Sequence, residues 1–145
     1  MFKHLLIATD GSELAAKAVT AGLTLARDLK ARVAAVTATE PWSAMVSGDE
    51  LPFTFPIAEY EKASAEGAQR ILAKVQEEAG RLGLDCETVY VTDFPAEAII
   101  ATAKARECDL IVMASHGRSG VARLLLGSQA SKVVTLSTIP VLICR

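Results

Sequence analysis

Five short apolar blocks, at residues 3–8, 31–38, 85–92, 109–114 and 139–144, punctuate this chain, and segments of helical spacing fill the gaps between them. Strands that read as continuous apolar blocks are buried on both faces, as in a parallel sheet covered by helices. Leu14, Ala18, Ala21, Leu25 and Leu29 recur at helical intervals and predict an amphipathic helix over 12–28. Asp10 and Glu13 are placed to form a capping box at its start. Ala68, Ile71, Leu72, Val75, Ala79 and Leu82 mark a long helix that ends near Gly80 and Gly83. Asp93-Phe94-Pro95 caps a third helix that runs to about Arg106, with proline in its first turn. Residues 128–137 form the fourth. The pattern is β-α-β-α-β-α-β-α-β without an internal repeat.

Right-handed crossovers turn that pattern into a doubly wound five-stranded parallel sheet. In the order 3-2-1-4-5, strands 1 and 4 are neighbours where the winding reverses, and ligands bind beyond the carboxyl ends of strands at such a point. Two distinctive loops would converge there. One is Thr9-Asp10-Gly11-Ser12. The other is Ser115-His116-Gly117-Arg118-Ser119-Gly120, followed after six residues by Gly127-Ser128.

A chain of 145 residues is expected to form one domain, 1–145, with enough core to need no disulfide or metal staple. No apolar run approaches the roughly 20 residues of a membrane span, and the start, Met1 to Ile7, is too short for a signal peptide and reads as the first core strand. A net charge of −2 with interspersed signs argues against a nucleic-acid surface. Cys86, Cys108 and Cys144 lack a C-x-x-C pair and read as free thiols of a reducing cytoplasm. His4 and His116 are the only histidines, which excludes a His-rich metal site.

Glycines before a helix start allow positive φ and the close approach of an anion, and the first N–H groups of the helix point outward. Gly117, Gly120, Gly127 and Ser128 are therefore phosphate candidates, with Gly127 and Ser128 offering N–H groups. A glycine-rich turn with a serine N-cap reads equally well from spacing alone. The segment is neither a P-loop nor G-x-G-x-x-G. Asp10 can accept hydrogen bonds from a ribose, hold a cation, or cap the helix. Arg118 and Arg123 read as phosphate partners or as solvated loop residues. His116 reads as a general base or, lacking a nucleophile partner, as a structural loop residue. Residues 40–60 hold Trp42, Phe53, Phe55 and Tyr60, which either cover a ligand, meet a partner or pack over the sheet's ends.

The whole chain resembles the universal stress protein family. The resemblance rests on the run Lys3-His4-Leu5-Leu6-Ile7-Ala8-Thr9-Asp10-Gly11-Ser12 and on the segment from Asp109 to Gly120. It rests also on Leu124-Leu125-Leu126-Gly127-Ser128 and Ile139-Pro140-Val141-Leu142-Ile143. In the nucleotide-binding branch of that family the signature is Gly, two residues, Gly, nine residues, then Gly and Ser or Thr. Its last three positions fall on Gly117, Gly127 and Ser128; its first falls on Ala114, a departure that adds a methyl where the family's backbone packs against the nucleoside. The resemblance implies ATP, with Mg²⁺ or Mn²⁺. It places adenine among Ala8, Thr9, Asp10 and Ala38, with Met113 beneath. Asp10 would serve the ribose, and Gly117, Gly127 and Ser128 the phosphates, with Arg118 near them. It also implies a homodimer through the last strand, from Ile139 to Cys144. Physics agrees, because in the order 3-2-1-4-5 this strand is an apolar edge without protecting charge.

The reading is a cytoplasmic, homodimeric, ATP-binding protein of that family, with an unidentified protein partner and with slow hydrolysis at most. Its rivals are an ATP-independent interaction module of the same fold, a phosphotransfer or hydrolytic enzyme, and a phospho-acceptor receiver domain. The receiver wants an acidic cluster after the first strand, where Asp10 stands alone.

Overall fold

The computed structural model describes residues 1–45, 56–117 and 126–145. Strands β1 (His4–Ala8), β2 (Arg32–Thr39), β3 (Cys86–Thr92), β4 (Leu110–Ala114) and β5 (Val141–Cys144) alternate with helices α1 (Glu13–Leu29), α2 (Ile57–Arg81), α3 (Pro95–Ala105) and α4 (Ser128–Leu136). A short 3-10 turn, Trp42–Met45, follows β2. All pairings are parallel, and the order is β3-β2-β1-β4-β5, as the sequence predicts.

The strand periodicity of two divides the core. Leu5, Ile7, Val33, Ala35, Leu110 and Val112 face a layer built by α1 and α2. Leu6, Ala8, Ala34, Val36, Ile111 and Met113 face a layer built by α3 and α4. Leu5, Leu6 and Ile7 are wholly buried, each stabilising the fold by about 1.5–3 kcal/mol. On α1, Gly22 lets the helix sit down on β1: a Cβ there would lie 2.7 Å from Ile7 Cγ1.

The start of α1 departs from the sequence reading. The Asp10–Glu13 capping box does not form; Ser12 is the N-cap of α1, its Oγ accepting from Ala15 N at 3.2 Å. Asp10 serves one step earlier, where Oδ1 accepts from Ser12 N at 2.9 Å. Thr9 Oγ1 accepts from Gly11 N at 3.1 Å, and Gly11 takes the left-handed φ of 80° that this tight turn requires. Three short side chains, those of Thr9, Asp10 and Ser12, thus fold the loop against its own backbone as the helix begins.

At the other end of the strands, Asp109 accepts from the N–H groups of Lys3 and His4 at 2.8 and 3.0 Å. This clamps the start of β1 to the start of β4.

Candidate functional site

Because β1 sits between β2 and β4, the α1 loop leaves the sheet on one face and the segment leading to α4 leaves on the other. The two loops meet. A Cβ built on Gly117 would lie 2.6 Å from Asp10 Oδ2, so a side chain there would displace the Asp10 carboxylate from its place against this backbone. The convergence expected from the strand order is therefore a direct contact.

Helix α4 is pinned to the same point. Gly127, its N-cap residue, donates its N–H to the Ser115 carbonyl at 2.8 Å, and Ser115 N donates to Cys144 O at 2.8 Å. A Cβ on Gly127 would fall 2.9 Å from that Ser115 carbonyl oxygen and 3.4 Å from His116 Cδ2. This corrects two expectations. The Gly127 N–H is already used and is no donor for a ligand. Neither Gly117 nor Gly127 needs positive φ, since Gly11 and Gly83 are the glycines with it among the described residues. Both glycines allow close approach, of the Asp10 carboxylate at Gly117 and of the Ser115 backbone at Gly127.

The donors that remain belong to the next three residues. Ser131 N closes the first intrahelical bond, to Gly127 O. The N–H groups of Ser128, Gln129 and Ala130 have no acceptor among the described residues. The N-terminus of α3 makes the contrast. Pro95 has no N–H, Ala96 N donates to Gln129 Oε1 at 3.0 Å, and Ala98 N donates to the Phe94 carbonyl. The Glu97 carboxyl is bonded to Lys132 and to its own N–H, which together hold it below its usual range. At α3 the first two positions leave no open N–H, whereas at α4 all three are open among the described residues.

Beside this point, on the α1–α2 face, lies a cavity of about 1470 Å³. Thr9, Asp10, Ser12, Thr37, Ala38 and Thr39 line its end at the sheet's carboxyl edge. Tyr60 borders it too, its hydroxyl donating to the Glu40 carbonyl at 2.8 Å. Thr9, Asp10 and Ala38 thus lie together at this end of the cavity. Ala8 and Met113 pack in the α3–α4 layer. Ala114 ends β4, buried and paired with Cys144. Arg118, Gly120, Arg123, Phe53 and Phe55 lie outside the described residues.

His116 Nδ1 lies 3.0 Å from Ser115 Oγ, the ring packs beside Gly127, and Nε2 is buried without a partner among the described residues. The cysteines are not poised nucleophiles, because burial pushes the Cys86 and Cys108 thiols up to about 11 and also raises Cys144. No group of three acidic, histidine or cysteine side chains able to hold a metal occurs among the described residues. No helix of the described residues is long and apolar enough to cross a membrane.

Sequence reasoning missed Ser12, Ser115 and Gln129. Ser12, three residues before the first buried position of its helix, carried an N-cap signal that could have been preferred to Asp10. Ser115 acts through its carbonyl and Gln129 through a contact 33 residues away, and neither leaves a local trace.

Comparison with known proteins supplies the relatives. The family model for the universal stress protein family matches residues 1–145. The chain is 36% identical over 152 aligned positions, covering all of both chains, to universal stress protein YxiE of Bacillus subtilis. The fold superposes on the universal stress protein UspA of Lactobacillus plantarum with a TM-score of 0.86 at 24% identity, covering 99% of this chain and 98% of that one. A universal stress protein solved in complex with cAMP matches at 26% identity and a TM-score of 0.72, over 99% of this chain and 97% of that one.

Proposed function

The chain belongs to the universal stress protein family, and from that membership we propose that its switch-point crevice binds ATP. The contact between Asp10 and Gly117 carries the reading: it joins the loops after β1 and β4 into one crevice that a single ligand can span. The base would enter the cavity lined by Thr9, Asp10 and Ala38. The ribose hydroxyls would meet the Asp10 carboxylate, with Ala8, Met113 and Ala114 backing the crevice from the strand ends. The phosphates would sit beside Gly117 against the open N–H groups of Ser128, Gln129 and Ala130, with Gly127 supplying clearance and Arg118 adding charge. Bonds from N–H groups to a charged oxygen are worth about 1.5–3 kcal/mol each, so three of them favour a polyphosphate over a nucleoside. The relative bound to cAMP supports an adenine ligand for this fold. A divalent cation would be held chiefly by the phosphates, with Asp10 as a protein ligand; Mg²⁺ in such sites needs few carboxylates.

The role is binding rather than turnover, in the cytoplasm, where Cys86, Cys108 and Cys144 stay reduced. Occupancy would fix the start of α4 relative to the β1 loop and so bias a surface that a protein partner reads. A homodimer forms along β5. The Ala114 methyl favours a second reading, an interaction module of the same fold that works without ATP. Acid denaturation of the purified protein followed by chromatography separates the two: released ATP supports the first, and its absence supports the second.

A further inference from the structure

We propose that Gln129 is the positioning residue of the phosphate seat; the inference rests on the nucleotide reading above and names the side chain that keeps that seat aimed. Gln129 occupies the first turn of α4, and its backbone N–H is one of the three open donors. Its side chain turns the other way. Oε1 accepts from Ala96 N at 3.0 Å, in the first turn of α3.

That bond does two things at once. It satisfies an α3 N–H that the helix itself does not reach, since the first intrahelical bond is the one from Ala98 N to the Phe94 carbonyl. It also fixes the rotation of α4 about its axis relative to α3. Lys132, one turn further along α4, pairs with Glu97 and repeats the tie. On the opposite side the α4 start is held by the Gly127 N–H to Ser115 carbonyl bond. The first turn is thus anchored to α3 on one side and to β4 on the other. Ala96 is wholly buried, so its N–H has no water to fall back on, and the tie is costly to break.

Three donors on one helical turn reach a phosphate together only while that turn keeps its orientation, and a small misalignment of preset donors lowers affinity for the charged group alone. Gln129 therefore affects phosphate binding through the direction of its neighbours and makes no demand on adenine or ribose.

Gln129→Met tests this, since methionine keeps the length and apolar stem and removes the acceptor. ATP and adenosine are titrated into wild type and variant by calorimetry, and Ala96 amide exchange is followed by NMR without ligand. We expect ATP affinity to fall about 3- to 10-fold, the worth of one hydrogen bond. Adenosine affinity should stay within about two-fold, and the Ala96 amide should exchange faster. Unchanged ATP affinity, equal losses for both ligands, or an Ala96 amide that exchanges as in wild type would each overturn the role of Gln129 while leaving the nucleotide reading in place. A wild type that binds neither ligand would overturn both.

Discussion

At the residue scale the site is governed by what cannot be added. Gly127 faces the Ser115 carbonyl at a distance a methyl cannot share, and the obstacle is backbone, which does not swing aside. Gly127→Ala is expected to destabilise the fold by about 1–3 kcal/mol through overpacking and to displace the α4 start. Thermal melting reads the first effect and ATP titration the second; an alanine variant that melts and binds as wild type would remove the steric account. The glycines were legible as a loop that must turn or let something close, but the reason for them was not. Sequence suggests freedom of φ, and only the placement of Ser115 and Asp10 shows that volume decides. Asp10 was legible as a crevice residue, yet its bond to Ser12 N displaced the expected capping box, because two candidate caps two residues apart differ only in where the helix begins.

His4 carries a prediction of the same scale at the far end of the strands. Its side chain is 5% exposed, with Nδ1 buried and unpartnered. Burial, and then the charge of Arg32, lower its affinity for a proton below the ordinary 6.5, outweighing the opposing pull of the Arg106 carbonyl and Asp109. The native state thus prefers neutral His4, and the unfolded chain binds the proton more readily. Stability is full above pH 6.5 and falls as the pH drops through the lowered native value. Urea unfolding of wild type and His4→Phe between pH 7 and 5 should show a wild-type decline that the variant flattens; parallel curves would assign the acid sensitivity to other groups.

At the element scale the sequence was most reliable. Every strand and helix lies within a few residues of its expected place, except that α2 begins at Ile57, before its apolar periodicity becomes visible at Ala68. Continuous apolar blocks specify strands buried on two faces, and a sheet so buried leaves few alternatives. What local pattern could not supply was how elements grip one another: Gln129 on α3, Asp109 across β1 and β4. The apolar edge β5 belongs to this scale also. Leu142 is 39% exposed on that edge, and Val134 and Leu136 on α4 are exposed as well. An apolar edge strand is an invitation to pair. Leu142→Lys is expected to halve the mass in light scattering without loss of helical signal. The same mass for wild type and variant would refute a dimer built along β5.

At the scale of the whole molecule, strand order does the organising. Placing β1 beside β4 brings a loop of short polar side chains from one face against a glycine-rich segment from the other. That much followed from the alternation of elements and the crossover rule. The depth of the cavity between α1 and α2 did not follow, because it depends on how far two helices separate over a shared sheet. Of the family's marks, Gly127 is the one fixed by backbone contact, since a Cβ there would fall 2.9 Å from the Ser115 carbonyl oxygen. The nucleotide claim is tested most directly by calorimetric titration of ATP with Mg²⁺ into nucleotide-free wild-type protein. The account predicts saturable binding near one ATP per chain, tighter than adenosine because the phosphates engage the α4 start. No heat of binding up to millimolar ATP would contradict it.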